Sequence, residues 1–122
     1  MVGGVELAAY RCAVDKFAQK LDGAGAAKGS RNRWNTAGEA VTYAASSRAL
    51  ALLETRVHSP IGPPHGAVFA VLRISLRAEE VTRIVASELP NNWRDPWDVG
   101  HCQVRGSEWY SKGPERKLLI VP

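Results

Sequence analysis

Residues 31–58 read RNRWNTAGEAVTYAASSRALALLETRVH, and this stretch decides the predicted fold. Residues 41–45 are partly β-branched, contain an aromatic side chain and follow the turn residue Gly38, so they predict a short strand. Ser46 or Ser47 can then cap a helix, because a serine hydroxyl accepts a hydrogen bond from a free N–H of the first helical turn. A loop, a strand and a helix therefore follow one another, and each carries polar side chains.

The predicted helix carries a carboxylate beside its apolar side chains. Leu50, Leu53 and Val57 recur at helical spacing and predict a buried stripe. Glu54 falls at the edge of that stripe, so we expect its carboxylate to be half withdrawn from water and to need a partner. Because Tyr43 belongs to the preceding strand, Glu54 and Tyr43 are expected at adjacent strand and helix ends, around one cleft.

A plain strand–turn–helix is the alternative interpretation of the same residues. In that interpretation Glu54 pairs with Arg56 or His58. The Arg33 guanidinium binds a backbone carbonyl, and Trp34 lies in the core. The residues by themselves leave both interpretations open.

Charge and length restrict the classes of protein that fit. The chain has 122 residues, enough for one small domain, and a net charge of +4. A basic domain can bind nucleic acid, another polyanion or an acidic partner, but the basic residues cluster only within residues 28–33, without interleaved aromatic residues. Direct nucleic-acid binding is therefore not expected, although a small basic nucleic-acid binder stays an alternative. No apolar run is long enough to span a bilayer and residues 1–6 have no signal-type composition, so we expect a cytoplasmic protein.

The two cysteines predict neither a disulfide nor a metal site. Cys12 and Cys102 are far apart and have no metal-type spacing. We expect both to be reduced and structural, as in other intracellular proteins. His101 stands beside Cys102 without a second pair of ligands, so we expect no metal site.

The remaining sequence predicts strands and helices without strict alternation. Residues 67–76 are the clearest buried strand, residues 80–84 and 118–121 suit two more, and residues 98–111 suit a helix despite two glycines. We find no internal repeat, linker or second domain. The predicted fold class is therefore α+β, in a single small domain over residues 1–122.

Several motifs follow one another in an order that spans nearly the whole chain. They are Tyr10-Arg11, Arg33-Trp34-Asn35-Thr36-Ala37-Gly38, Tyr43-Ala44-Ala45-Ser46-Ser47, Ala49-Leu50-Ala51-Leu52-Leu53-Glu54, Val57-His58, Leu89-Pro90-Asn91-Asn92-Trp93, Gly106-Ser107-Glu108-Trp109 and Leu118-Leu119-Ile120-Val121-Pro122. This set of motifs resembles RES-domain proteins, the toxin half of a bacterial toxin–antitoxin pair.

The resemblance implies an ADP-ribosyltransferase-like fold with a mixed or antiparallel sheet and a few helices, in which residues 6–14 form the opening strand. The sequence departs from the family pattern at two places. Arg31-Asn32 replaces a glycine pair before the motif arginine, which predicts a stiffer and more cationic loop. The family pattern continues after Val-Pro with a serine and a polar tail, whereas this sequence ends at Pro122. We therefore expect the RES-like domain of residues 1–122 to lack that tail.

The resemblance also implies cleavage of the nicotinamide–ribose bond of NAD⁺, which is then a substrate and not a prosthetic group. The catalytic residues are expected to be Glu54, Tyr43 and Arg33. Glu54 stabilises the positive charge of an oxocarbenium-like ribose, and Tyr43 stacks on nicotinamide. Arg11 and Arg33 hold the pyrophosphate, because a planar guanidinium matches phosphate geometry. Arg31 is the candidate for binding a phosphate ion, from local charge alone.

Three functions stay open from the sequence. The first is the toxin of a type II toxin–antitoxin system, which cleaves NAD⁺ with inorganic phosphate as acceptor or transfers ADP-ribose to a protein. The second is a catalytically impaired RES-like module that mainly binds its antitoxin, and the third is the nucleic-acid binder. The resemblance implies a cognate DNA-binding, Xre-like antitoxin as partner, and leaves a homo-oligomer within the complex open.

Overall fold

The computed structural model describes residues 4–14, 21–29, 32–58 and 67–122. These residues form four strands, three α-helices and two short 3₁₀ turns. In chain order the elements are β1 (Gly4–Val14), α1 (Ala24–Lys28), α2 (Arg48–His58), β2 (Ala67–Arg77), a 3₁₀ turn (Ala78–Glu80), β3 (Val81–Arg83), a second 3₁₀ turn (Ala86–Glu88), α3 (Gly100–Ser111) and β4 (Leu118–Ile120).

Both kinds of strand pairing occur. The strands β1 and β2 form one two-stranded sheet, and β3 and β4 form another. The second sheet is parallel, with Thr82 opposite Leu119 at its centre. An isolated antiparallel bridge joins Tyr10 to Ala45. This mixture of sheets and helices confirms the predicted α+β class.

The chain divides into two compact units, and each is best described by itself. The first unit consists mainly of Gly23–Val41 and Leu76–Pro122. The second consists mainly of Val5–Asp22 and Thr42–Ser75. Within the described residues, no helix combines the length and the apolar character that crossing a bilayer requires.

The first unit contains the hydrophobic core. Trp34, Ile84, Leu89 and Cys102 are its buried members, and Trp93 packs against them. The ring centroids of Trp34 and Trp93 are 6.4 Å apart and the rings are tilted by 46°, within the range that aromatic pairs favour. Cys102 is 1% exposed and is a free thiol, which agrees with the structural role expected for it.

The buried carboxylate of Glu80 connects the residues that precede β3 and β4. The Glu80 side chain is 7% exposed and lies 2.7 Å from Arg77 Nε and 3.4 Å from Lys117 Nζ. The Lys117 N–H also donates to the Glu80 carbonyl at 3.0 Å. The hydrogen bond from Arg77 is the main reason that the pKa of Glu80 lies below its usual value, and the Lys117 ammonium acts in the same direction.

The second unit corrects one predicted strand and confirms one predicted cap. Residues 41–45 do not form a strand, because the segment makes a β-bridge only at Ala45, through two backbone hydrogen bonds of 2.8 Å with Tyr10. The chain bends directly after Ala45 and enters α2. Ser47 caps this helix as predicted, since its hydroxyl accepts a hydrogen bond from the Leu50 N–H at 3.1 Å.

The face of α2 that is covered differs from the predicted one. Leu50 is 39% exposed and Leu53 is 58% exposed, whereas Ala51 is 5% exposed. The predicted stripe is therefore wrong at Leu50 and Leu53, and the side chain of Val57 lies outside the described residues. Periodicity decides which side chains share a helix face, but the neighbouring elements decide which face is covered.

The strand β2 follows the predicted alternation only in its second half. Leu76 is buried there, and Arg73, Ser75 and Arg77 are exposed, as expected. The first half is not the buried strand that its apolar run predicts, because three large side chains are 38–45% exposed, namely Val68, Phe69 and Val71. A continuous apolar run predicts a strand, but burial on both faces depends on the layers that cover it.

Candidate functional site

The loop that carries the Arg-Trp-Asn motif lies directly against α3. A Cβ added to Gly106 would stand 2.5 Å from the Trp34 carbonyl carbon and 3.1 Å from its Cα. Real Cβ atoms essentially never come closer than 3.0 Å to such an atom, so only glycine permits this contact. The glycine of the Gly106-Ser107-Glu108-Trp109 motif is therefore required by packing, because the backbone of the loop occupies the place of a side chain at Gly106.

Asn35 organises the inside of this loop. Its side chain is fully buried and its Nδ2 lies 3.0 Å from the Ala26 carbonyl, 3.1 Å from that of Thr36 and 3.3 Å from that of Glu39. A buried amide requires such partners, because leaving it unpaired costs about 1–3 kcal/mol. The motif asparagine therefore has a structural role that ties α1 to the loop.

Gly38 closes the same loop in a conformation that favours glycine. Its φ is +90°, in the left-handed region. Its N–H donates to the Ala27 carbonyl at 2.8 Å. The Arg-Trp-Asn-x-x-Gly spacing therefore places a buried amide and a left-handed turn at fixed points of one loop.

A carboxylate and two hydroxyl groups join the loop to α3. The oxygen Glu39 Oε1 accepts hydrogen bonds from the Thr36 N–H at 2.7 Å and from the Ser107 hydroxyl at 2.9 Å. The Thr36 and Ser107 hydroxyl oxygens are 3.3 Å apart. Burial of the carboxylate acts to raise its pKa, but these hydrogen bonds outweigh it, so the pKa of Glu39 lies below its usual value. Glu39 is consequently ionised at neutral pH.

This Glu39–Ser107 cluster was not among the predicted site residues. Its local signal is the Thr36-x-x-Glu39 spacing, in which a glutamate reaches back to the backbone N–H of a threonine three residues earlier. Ser107 is 68 residues away from Glu39 in the chain. No local pattern joins these two residues.

An open groove of about 580 Å³ runs along one face of α3 beside this cluster. Its lining offers hydroxyl, amide and carboxylate groups together with one apolar side chain, from Thr36, Gly100, Gln103, Val104, Ser107, Glu108 and Ser111. The described residues that line it include no cation. The groove therefore does not match a phosphate.

Arg33 is held by backbone carbonyl groups. One terminal nitrogen of its guanidinium donates to the Trp93 carbonyl, and the other donates to the Arg94 carbonyl at 3.2 Å. The Arg33 Cζ lies 5.9 Å from the centre of the Trp93 ring. With Trp34 in the core, these contacts confirm the part of the alternative interpretation that concerned Arg33 and Trp34. Whether Arg33 also binds a ligand stays a prediction.

The second unit carries three of the predicted site residues. Arg11 lies on β1 and is half-buried, Tyr43 is 42% exposed and precedes α2, and Glu54 lies on α2. Each of the three interacts with other residues of the protein. Glu54 is exposed, so the expectation that it is half withdrawn from water is wrong, because the covered face of α2 is that of Ala51.

A cation–π contact lies close to Arg11 in the chain. The Arg48 guanidinium lies 4.9 Å from the centre of the Tyr10 ring, a cation–π contact next to Arg11 in the chain. Arg31 lies outside the described residues, and so do the side chains of Arg56 and His58. Among the described residues, no group of three or more potential metal ligands could hold an ion.

The sequence matches the family described as "RES domain" over residues 8–122. This chain belongs to the RES family. The match includes residues of both compact units. In the first unit, two matched motifs meet the motif loop at Trp34: Trp93 packs against the core that contains Trp34, and Gly106 lies against the Trp34 backbone. The assignment of residues 1–122 to one domain stays a prediction.

Three relatives of this RES chain have names that describe toxins. A Sphingobium sp. (strain YBL2) protein named "Prs ADP-ribosylating toxin" is 38% identical over 110 residues, which make up 86% of this chain and 65% of the relative. "Toxin Res" of Yersinia enterocolitica serotype O:8 / biotype 1B is 33% identical over 89 residues, 72% of this chain and 57% of the relative. "Toxin Res" of Photorhabdus laumondii subsp. laumondii is 29% identical over 112 residues, 91% of this chain and 70% of the relative. The chain thus spans less than two thirds of the length of the first two.

Proposed function

We propose that this RES chain is a toxin that cleaves the bond between nicotinamide and ribose in NAD⁺. The observation that carries the proposal is the family match over residues 8–122, together with a 38% identical relative that is named an ADP-ribosylating toxin. ADP-ribosyl transfer consumes NAD⁺ as a substrate and breaks this bond. The reaction requires no prosthetic group.

Glu54 is the proposed catalytic carboxylate. When the bond between the ribose C1 and the nicotinamide nitrogen breaks, the electron pair stays with nicotinamide, which leaves as a neutral base. The ribose then carries positive charge, as in glycoside cleavage, and a nearby carboxylate stabilises it. The exposed position of Glu54 on the capped helix α2 is compatible with a substrate reaching it.

Tyr43 and the arginines are the proposed substrate-binding residues. The Tyr43 ring is 42% exposed, so part of its face can stack on nicotinamide. Arg11 and Arg33 are the proposed ligands of the pyrophosphate, which a guanidinium binds through two parallel hydrogen bonds. Arg31 is the proposed ligand of a phosphate ion.

Two acceptors of the ADP-ribosyl group are proposed. With inorganic phosphate, a phosphate oxygen forms the new bond to the ribose C1, and the products are nicotinamide and ADP-ribose 1″-phosphate. With a protein acceptor, a nucleophilic side chain forms that bond and loses a proton. The name of the Sphingobium relative favours the protein acceptor. Both reactions share the release of nicotinamide.

A cognate antitoxin is the proposed macromolecular partner. An enzyme that consumes NAD⁺ must be silenced in the cell that makes it, and two relatives bear the name "Toxin Res". We propose a small DNA-binding, Xre-like antitoxin within a type II system in the cytoplasm. The net charge of +4 supports an acidic contact segment in that partner.

Nicotinamide release is the experiment that tests the proposal. The chain is incubated with NAD⁺, with and without inorganic phosphate, and nicotinamide is measured by chromatography. We expect release, and a substitution Glu54→Gln should lower its rate about 10²-fold or more, because the variant keeps the shape but loses the charge. Glu115→Gln is the matched control, since Glu115 is also an exposed glutamate and should release nicotinamide at the parental rate.

The outcomes separate the candidate functions. Release that depends on phosphate identifies the phosphorylase, and release that requires an added protein identifies the transferase. Equal rates for Glu54→Gln and Glu115→Gln would refute the role of Glu54. No release together with tight binding of a cognate antitoxin would leave the impaired binding module as the function.

A further inference from the structure

Two arginine side chains of the first unit lie over the Trp93 ring. The Arg94 Cζ is 4.7 Å from the ring centre and the Arg33 Cζ is 5.9 Å from it. Cation–π contacts of this length hold a guanidinium in place over an aromatic face. Two positive charges are therefore fixed in one small region of the surface.

Among the described residues, no carboxylate forms an ion pair with either of these charges. Within the described part of the chain, Arg33 donates to two backbone carbonyls and Arg94 contacts the Trp93 ring, and no Asp or Glu oxygen lies within 4.0 Å of either guanidinium. Other arginines of the same unit do pair with carboxylates, as Arg77 does with Glu80 at 2.7 Å. Two like charges that share a ring repel each other, and an anion between or beside them removes that repulsion.

The two side chains also differ in what they can offer to a ligand. Arg33 is half-buried, and it uses one N–H of each terminal nitrogen to bind the carbonyls of Trp93 and Arg94. Arg94 is exposed, and the hydrogen-bond donors of its guanidinium have no partner among the described residues. Arg94 therefore presents a complete guanidinium fork to solvent, oriented by the ring beneath it.

We propose that Arg94, supported by Arg33 and the Trp93 ring, forms a binding site for a phosphate group. A fork of parallel N–H donors matches the oxygens of a phosphate, and the second guanidinium adds charge without needing to move. The phosphate belongs either to the pyrophosphate of a dinucleotide or to a free phosphate ion. The identity of the dinucleotide rests on the proposed function, whereas the phosphate chemistry rests on the two arginines and the ring.

Binding measurements on the whole chain test this site. ADP-ribose and inorganic phosphate are titrated separately into the parent protein and into Arg94→Gln, with calorimetry as the readout. We expect Arg94→Gln to weaken at least one of the two ligands about tenfold, which corresponds to about 1.4 kcal/mol. Arg83→Gln is the matched control, because Arg83 is an exposed arginine of the same unit and its loss removes the same charge from the protein. Its affinities should equal those of the parent.

A conservative variant and a competition experiment identify the source of the phosphate. Arg94→Lys keeps the charge but loses the fork, so its affinity should lie between those of the parent and of Arg94→Gln. If the site takes the pyrophosphate, Arg94→Gln weakens ADP-ribose and inorganic phosphate competes with ADP-ribose. If it takes a free phosphate ion, Arg94→Gln weakens only inorganic phosphate, and ADP-ribose binding does not respond to added phosphate.

The site and the proposed function can fail separately. Equal affinities of Arg94→Gln and Arg83→Gln for both ligands would overturn the site, and so would a parent protein that binds neither ligand. Nicotinamide release by the parent tests the enzyme without reference to Arg94. Suppose that Arg94→Gln loses ADP-ribose binding and that the parent protein releases no nicotinamide. The phosphate-binding site would then be supported, and the proposed NAD⁺-cleaving activity would be refuted. Melting temperatures of all variants should match the parent, since Arg94 and Arg83 are exposed.

Discussion

Replacing Gly106 by alanine should separate the motif loop from α3. The new Cβ would stand 2.5 Å from the Trp34 carbonyl carbon, whereas ordinary van der Waals contacts begin at 3.4 Å. Helix and loop must therefore move apart by about 1 Å or more. Both partners are backbone, so no side-chain rotation can relieve the overlap.

The expected loss of stability follows from three contributions. Overpacking of this kind costs about 1–3 kcal/mol. The movement also stretches the hydrogen bonds from Ser107 to Glu39 and from Gln103 to the Asn32 carbonyl, which are 2.9 Å and 2.8 Å long and contribute roughly 0.5–1.5 kcal/mol each. The higher helix propensity of alanine returns about 1 kcal/mol. The free energy of unfolding should fall by about 3 kcal/mol, and the melting temperature of a chain of this size by about 10 °C.

Thermal and urea unfolding, followed by circular dichroism, measure this loss. Gly100→Ala is the matched control in the same helix, because its new Cβ would meet only the Asp98 Oδ1, at 3.9 Å. The control should melt at the parental temperature or slightly above it. If Gly106→Ala melts with the parent, the contact between α3 and the Trp34 backbone is not a determinant of stability and the argument is wrong.

Two further predictions concern a buried charge and a helix cap. The pKa of Glu80 is lowered in the folded state, chiefly by the Arg77 hydrogen bond, so its contribution to stability is present above the unfolded-state pKa of about 4.3 and is lost as the pH falls through the lower folded value. Urea unfolding from pH 7 down to pH 3 should therefore show a steeper loss of stability below about pH 4.5 for the parent than for Glu80→Gln. Ser47→Ala removes the hydroxyl that accepts the Leu50 N–H and should cost about 1 kcal/mol, whereas Ser46→Ala should cost nothing measurable.

Each of these two predictions has a result that contradicts it. Parallel pH profiles for the parent and Glu80→Gln would mean that the Arg77 and Lys117 contacts do not persist in solution. Equal unfolding free energies for Ser47→Ala and Ser46→Ala would mean that α2 begins without a side-chain cap.

The sequence motif of the candidate site does not predict which groups its arginine binds. The motif arginine could be expected to bind either a carbonyl or a phosphate, and the spacing of the motif does not choose between them. The carbonyls that Arg33 binds belong to Trp93 and Arg94, 60 and 61 residues further along the chain. The two-arginine arrangement on the Trp93 ring follows from that long-range contact, so no local pattern predicts it.

The sequence by itself determined the elements whose cause is local. Ser47 and the apolar periodicity after it predict α2, which runs over Arg48–His58, and residues 98–111 predict the helix found at Gly100–Ser111. β-Branched and apolar runs predict the strands found at Ala67–Arg77 and Leu118–Ile120. These signals depend on backbone preferences within a few residues, which do not change with the rest of the fold.

Only the tertiary structure decided which surfaces are covered and which distant groups meet. Residues 41–45 join a neighbouring strand only through the β-bridge at Ala45, because a strand needs backbone pairing along its length and only Tyr10 provides it here. Ala51 is buried while Leu53 is 58% exposed, since neighbouring elements cover one face of α2 and not the more apolar one. Glu39 and Ser107 meet across 68 residues, through a contact that the missing side chain of Gly106 makes possible. Such contacts depend on the packing of whole elements, which the order of residues along one segment does not specify.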